Sequence, residues 1–243
     1  MVVPNTRHRD IKTYRNYAYA VAEMTGQNDG LMIMDMRYLL DSVRFVGSFK
    51  TATDVTSHNF SIDTAKAHAY ILKSNRSGFR IVSLADPENP VEVRTVTTPG
   101  IHDVYAPERY CLVAEASVRT FSMYDVTNKN SPVLIVRHTI PAGGYVHNIW
   151  PTDDGSYAVT TEETSFKTVK VWDTSSPSAI TLVGEYLGTN NLAHNVQVMG
   201  NLVYISHYQA GVRVVDISNP ANPIEIAGYD TCTRGNSPNF RGC

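Results

Sequence analysis

Residues 192–231, LAHNVQVMGNLVYISHYQAGVRVVDISNPANPIEIAGYDT, hold four short strands and the turns between them. His194-Asn195-Val196 opens the first strand. Gly200-Asn201 then turns the chain into 202–207, whose residues alternate between two unlike faces. Gly211 breaks that run, 212–216 reads as a third strand, and Asn-Pro-Ala-Asn-Pro at 219–223 cannot extend it. Proline has no N–H to give a ladder and fixes its own φ, so this segment is a turn. Residues 224–229 make the fourth strand. A single meander of this size cannot bury both of its faces, so it needs neighbours of its own kind.

The chain supplies them. Arg9-Asp10-Ile11, His58-Asn59-Phe60, His102-Asp103-Val104, His147-Asn148-Ile149 and His194-Asn195-Val196 open five copies spaced 44 to 49 residues apart. Second strands are predicted at 17–23, 68–73, 110–115, 157–161 and 202–207, and third strands at 31–36, 79–84, 119–126, 168–174 and 212–217. Several third strands close on an acid: Asp35, Asp125, Asp173 and Asp216. Turn segments follow at 86–90, 130–132 and 175–177. Four strands in a period of about 45 residues are the arithmetic of a propeller blade.

The predicted fold is therefore all-β, a β-propeller of about five four-stranded antiparallel blades. They fall near 8–50, 57–97, 101–140, 146–187 and 193–230 of one domain, with 231–243 as a Gly/Pro/Asn-rich tail. Two stacked sheets would give no reason for the same dipeptide to open every unit. Only 36–42 (MRYLLDS) has helical character, enough for one or two turns in a loop.

The runs GFRIVSLADPENPVEV at 78–93 and GVRVVDISNPANPIEI at 211–226 resemble the LVIVD repeat of bacterial surface and secreted proteins. HRDIKTYRNYAYAVAE at 8–23, the SHN, IHD, VHN and AHN openings and the SHYQAGVRVVDISNPANP run are together similar to the choice-of-anchor B family. These are extracellular propeller-like proteins attached to cells by different C-terminal devices. The resemblance runs from His8 to about Asp230. It implies an extracellular or cell-surface binding or scaffolding module, with a protein or glycan partner and no assigned catalysis. Family members usually run on past both ends, which leaves two cases: a five-bladed ring, or five blades of a larger one whose bare edges would promote self-association. The first residues, MVVPNTRHRD, lack the apolar stretch of the signal peptide expected of a secreted relative.

Composition excludes some partners. A net charge of −2 and a pI near 6.4, with no basic run, argue against nucleic acid. No apolar run is long enough to span a bilayer as a helix. Cys111, beside Leu112 and Val113, reads as a buried filler. Cys232 and Cys243 flank a polar loop, and a disulfide between them stays open.

The candidate chemistry lies in the opening residues. If every blade starts at a shared axis, His58, His102, His147 and His194 approach one another and offer imidazoles to a divalent metal ion, zinc or similar. Arg9, Asp10 and Asp103 are the matching candidates for contacting a ligand. The competing reading is structural, with His, Asn and Asp capping the backbone of opening strands. Strand alternation would put each His and its Asn or Asp neighbour on opposite faces.

The alternative function is a metal-assisted hydrolase or polysaccharide lyase with a His-lined site at the propeller channel. Separately, Glu23, Glu115, Glu162 and Glu163, near second-strand ends, could act as an acid–base pair in glycoside or polysaccharide cleavage. Such glutamates are expected on a solvated rim. Tyr145, His207 and Tyr208 are further candidates for proton abstraction, without a spacing rule that selects them. Trp150 and Trp172 are expected to pack between blades.

Overall fold

A computed structural model describes residues 9–25, 29–53, 55–188 and 192–231. The side chain of Arg9, and Cys232 and Cys243 with their open disulfide, lie outside the described residues.

The fold is a β-propeller of five four-stranded antiparallel blades, each a simple meander in chain order. The first blade holds β1 (Arg9–Tyr14), β2 (Tyr17–Ala22), β3 (Leu31–Asp35) and β4 (Arg44–Phe49). The second holds β5 (Phe60–Asp63), β6 (His68–Leu72), β7 (Gly78–Ser83) and β8 (Val91–Thr97). In the third are β9 (Asp103–Tyr105), β10 (Tyr110–Ala114), β11 (Thr120–Asp125) and β12 (Val133–Thr139). The fourth has β13 (Val146–Pro151), β14 (Tyr157–Glu162), β15 (Val169–Asp173) and β16 (Thr181–Tyr186), and the fifth β17 (Asn195–Met199), β18 (Leu202–Ser206), β19 (Val212–Asp216) and β20 (Ile224–Tyr229).

The 36–42 segment forms bonded turns rather than a helix, with Leu39 N–H donating to Met36 and Asp41 and Ser42 donating to Tyr38. A 3-10 turn at Tyr208–Ala210 is the helical feature that the sequence pattern did not announce.

Two compact units divide the chain, Met1–Cys111 with Tyr124–Val133, and Leu112–Met123 with Leu134–Cys243. In the first, blades one and two share a core. Tyr19, Val21, Leu31 and Ile33 pack against Phe60, Ile71, Val82 and Leu84. In the second, Val159, Val169 and Val171 of the fourth blade meet Val196, Val203, Ile205 and Val215 of the fifth. Every second residue of these strands is apolar, so each meander hides one face against the next.

The turn between third and fourth strands keys adjacent blades together. Tyr17 and Tyr19 donate their hydroxyls to Glu88 (2.8 Å) and to the Pro87 carbonyl (3.0 Å). Lys129 reaches back to Asp63 (2.9 Å) and Tyr70 (2.8 Å). At Gly184 the turn's Pro220 carbonyl comes so close that a Cβ would stand 2.0 Å from it, which is why that strand position lacks a side chain.

The closing acids hold those turns in shape. Asp35, Asp125, Asp173 and Asp216 each accept the N–H of the residue two places on, at 2.7 to 3.0 Å, and Ser83 takes the same role in the second blade. Hydroxyl bonds from Thr127, Ser175 and Ser218 are the leading cause that holds the last three carboxyls below their ordinary range.

Trp172 lies buried in the second unit, with Phe121 at 5.3 Å and His138 at 4.9 Å, and its indole N–H donates to Thr160 (2.8 Å). Trp172→Ala is expected to lower unfolding free energy by about 3–5 kcal/mol in denaturant titrations.

For the closing acids the sign is fixed by linkage. Their contribution is present above the unfolded value of 3.8 and is lost as pH falls through the depressed folded values. Thermal melts should show a midpoint that drops below about pH 4, with Asp173→Asn lowering the midpoint at neutral pH and shrinking the acid drop. An acid profile unchanged by Asp173→Asn contradicts this account of the turns.

Candidate functional site

The opening dipeptides divide their labour. Asn148 on β13 accepts the Val196 N–H of the next blade's opening strand at 3.0 Å, and Asp10 on β1 accepts the Phe60 N–H at 3.3 Å. In the first and fourth blades the second residue of the dipeptide therefore caps the adjacent blade's backbone. Asp10 is also held by Lys12 at 2.5 Å, and buried Asp103 accepts the Val104 N–H at 2.8 Å. Across the second and third blades the Ala106 N–H is met by the Ser61 hydroxyl at 3.2 Å.

The histidines gather in pairs, one pair in each unit. His58 and His102 lie with ring centroids 4.3 Å apart, and His147 and His194 at 4.1 Å. His147 sits in a β-bulge, inserted between Val146, opposite Glu162, and Asn148, opposite Thr161. A bulge re-aims its side chain, so the alternation expected of His and Asn is interrupted there and both are buried.

Each pair meets a glutamate that directly follows a second strand. Glu23, after β2, stands 3.0 Å from His58 Nδ1. Glu163, after β14, stands 3.8 Å from both His147 and His194. The loop after the second strand of the following blade then supplies one more group. In the first unit it is Arg76, whose guanidinium bonds Glu23 at 2.6 Å. In the second it is Tyr208, whose hydroxyl donates to Glu163. Arg76 and Tyr208 both have positive φ, at 56° and 44°, a strained geometry that accumulates at functional sites.

Two glutamates correct the sequence expectation. Glu115 and Glu162 are 0% and 1% exposed rather than solvated on a rim. Glu115 binds Arg137 through Nε (2.8 Å) and Nη2 (3.1 Å) and accepts from the Thr120 and Ser122 hydroxyls. Glu162 is gripped by Lys170 and by the Gly144 N–H. Cations from the same blades make this burial tolerable. Burial, then the bond to Glu163, raises the Tyr208 phenol well above its usual value, so it stays protonated. Burial likewise pushes up the thiol of Cys111, as expected of a filler.

Beside Glu163 the second unit opens into a groove of about 570 Å³, lined by Ser117, Arg119, Tyr145, Thr164 and Lys167 among others. Tyr145 joins the two features, since its carbonyl accepts the Glu163 N–H at 2.8 Å and its ring lies 6.4 Å from His147. Of the eight non-glycine residues with positive φ among the described residues, Ala116, Arg119, Ala142 and Phe166 fall in the loops that build this groove. Phe166 is 70% exposed. Nothing in the strand periodicity pointed to the groove, because it is made of loops from two blades.

These features define the chain as a β-propeller repeat protein. Residues 192–231 match the LVIVD repeat. No curated protein matches the chain. Among solved structures it is similar to a functionally unknown protein of Desulfotomaculum acetoxidans, with TM-score 0.71, 17% identity, and coverage of 96% of this chain and 73% of that one. A Lactobacillus plantarum protein gives TM-score 0.73 and 16% identity over 90% and 69% of the two chains. The periplasmic gluconolactonase of Pseudomonas aeruginosa gives 0.69 and 11% over 89% and 68%. At such identities the likeness is one of fold.

Lys170→Met, which leaves Glu162 buried without its cation, is expected to cost about 3–5 kcal/mol in equilibrium unfolding. Adding Glu162→Gln to it should restore most of that loss. A double variant as unstable as the single one contradicts the ion-pair assignment.

Proposed function

We propose that the protein is a secreted or surface-displayed LVIVD-repeat propeller of the choice-of-anchor B type that works as a binding module for an acidic glycan. The observation that carries this reading is the groove. It gathers the cations Arg119 and Lys167, the ring of Tyr145 and the hydroxyls of Ser117 and Thr164 in one lining. Cations recognise sugar carboxylates, hydroxyls and aromatic rings suit the rest of a sugar ring, and loops held in strained geometry present them in a fixed arrangement. Glu115 and Glu162, two of the glutamates offered for an acid–base pair, are instead engaged by Arg137 and Lys170. Among the described residues no helix is long and apolar enough to cross a membrane.

Calorimetric titration with polygalacturonate and with dextran tests the reading. The acidic polymer should bind, with affinity that falls as salt rises, and the neutral polymer should not. Arg119→Ala combined with Lys167→Ala should weaken binding about tenfold or more, the loss of two charge-assisted contacts. Equal binding of both polymers, or of neither, contradicts the proposal. Protease shaving of intact cells of the source organism should remove the protein, as display outside the cell requires.

A further inference from the structure

His147, Glu163 and His194 each bring a ligand atom to within 4.8 Å of the others. One Glu163 oxygen stands 3.8 Å from His147 Nε2 and the other 3.8 Å from His194 Nε2. That is too long for hydrogen bonds. It is close to the roughly 3–3.5 Å that separates two ligand atoms when each lies about 2.1 Å from a shared ion.

We propose that these three side chains bind one divalent transition-metal ion of the zinc class, as two imidazoles and one carboxylate. The donor set suits such ions, and with three protein ligands it leaves a position for water or a ligand oxygen. The bulge in β13 supplies His147, the residue after β14 supplies Glu163, and the residue before β17 supplies His194, so three elements of two packed blades converge.

Tyr208 fixes the orientation of the carboxylate through its hydroxyl, and its ring lies 5.0 Å from that of His194. The His147 side chain is 4% exposed, while that of His194 is 34% exposed, which leaves a route for the ion on the His194 side. The corresponding constellation of the first unit serves as an internal contrast. There Arg76 and His58 both engage Glu23, so a guanidinium already neutralises the carboxylate.

The test is zinc chloride titration of tag-free protein by calorimetry, with metal content measured after dialysis. Wild type should hold about one zinc per chain and melt at a higher temperature in its presence. Glu163→Gln and His194→Ala should weaken zinc binding by about tenfold or more, while His58→Ala and His102→Ala leave it unchanged. Glu163→Gln is nearly isosteric, and partly exposed His194 gives a second variant should the first disturb the fold. Wild type with less than about a tenth of an equivalent, or equal losses in His58→Ala and His194→Ala, overturns the proposal. The zinc readout needs no glycan, so it stands or falls apart from the groove's function.

Discussion

A buried peptide N–H at a blade junction is the constraint from which the rest of the site follows. An opening strand has a partner strand on one side alone, and its other edge faces the neighbouring blade. A buried donor left without an acceptor there would cost about 1–3 kcal/mol. Asn148 and Asp10 meet that need, each reaching across to the amide of the next blade, at Val196 and Phe60. In the fourth blade this carries the preceding residue, His147, to the junction where His194 opens the next blade. That is how histidines dozens of residues apart in sequence come to lie ring against ring.

Repetition then allows two outcomes from one skeleton. Glu23 and Glu163 occupy the same place in their blades, and each faces the opening histidine of the blade that follows. Two things differ: the opening residue of the glutamate's own blade, Arg9 in one and His147 in the other, and the group donated by the next loop, a guanidinium from Arg76 or a phenol from Tyr208. A cation neutralises the carboxylate, whereas a phenol orients it and leaves its charge to be matched by something else.

Much of the fold was legible because its signals are local. The prolines of the third-to-fourth-strand turns, the apolar alternation and the closing acids at Asp35, Asp125, Asp173 and Asp216 act within a few residues of themselves, so a linear reading finds them. The burial of Glu115 was not legible, since its partner Arg137 is 22 residues away on another strand. The bulge at His147 breaks a period-two pattern without a glycine or proline to mark it. The sequence does not single out Tyr208, because its role depends on a positive φ that a tyrosine rarely adopts and on Glu163, 45 residues earlier.

The capping of one blade's opening strand by the dipeptide of the blade before it can be read directly by amide hydrogen exchange at Val196. In the wild-type protein this N–H should be protected to a degree similar to the amides of β18, and in Asn148→Ala its exchange should quicken by about tenfold or more, as expected for loss of a bond worth about 1.4 kcal/mol or more. An exchange rate at Val196 unmoved by Asn148→Ala would contradict the account.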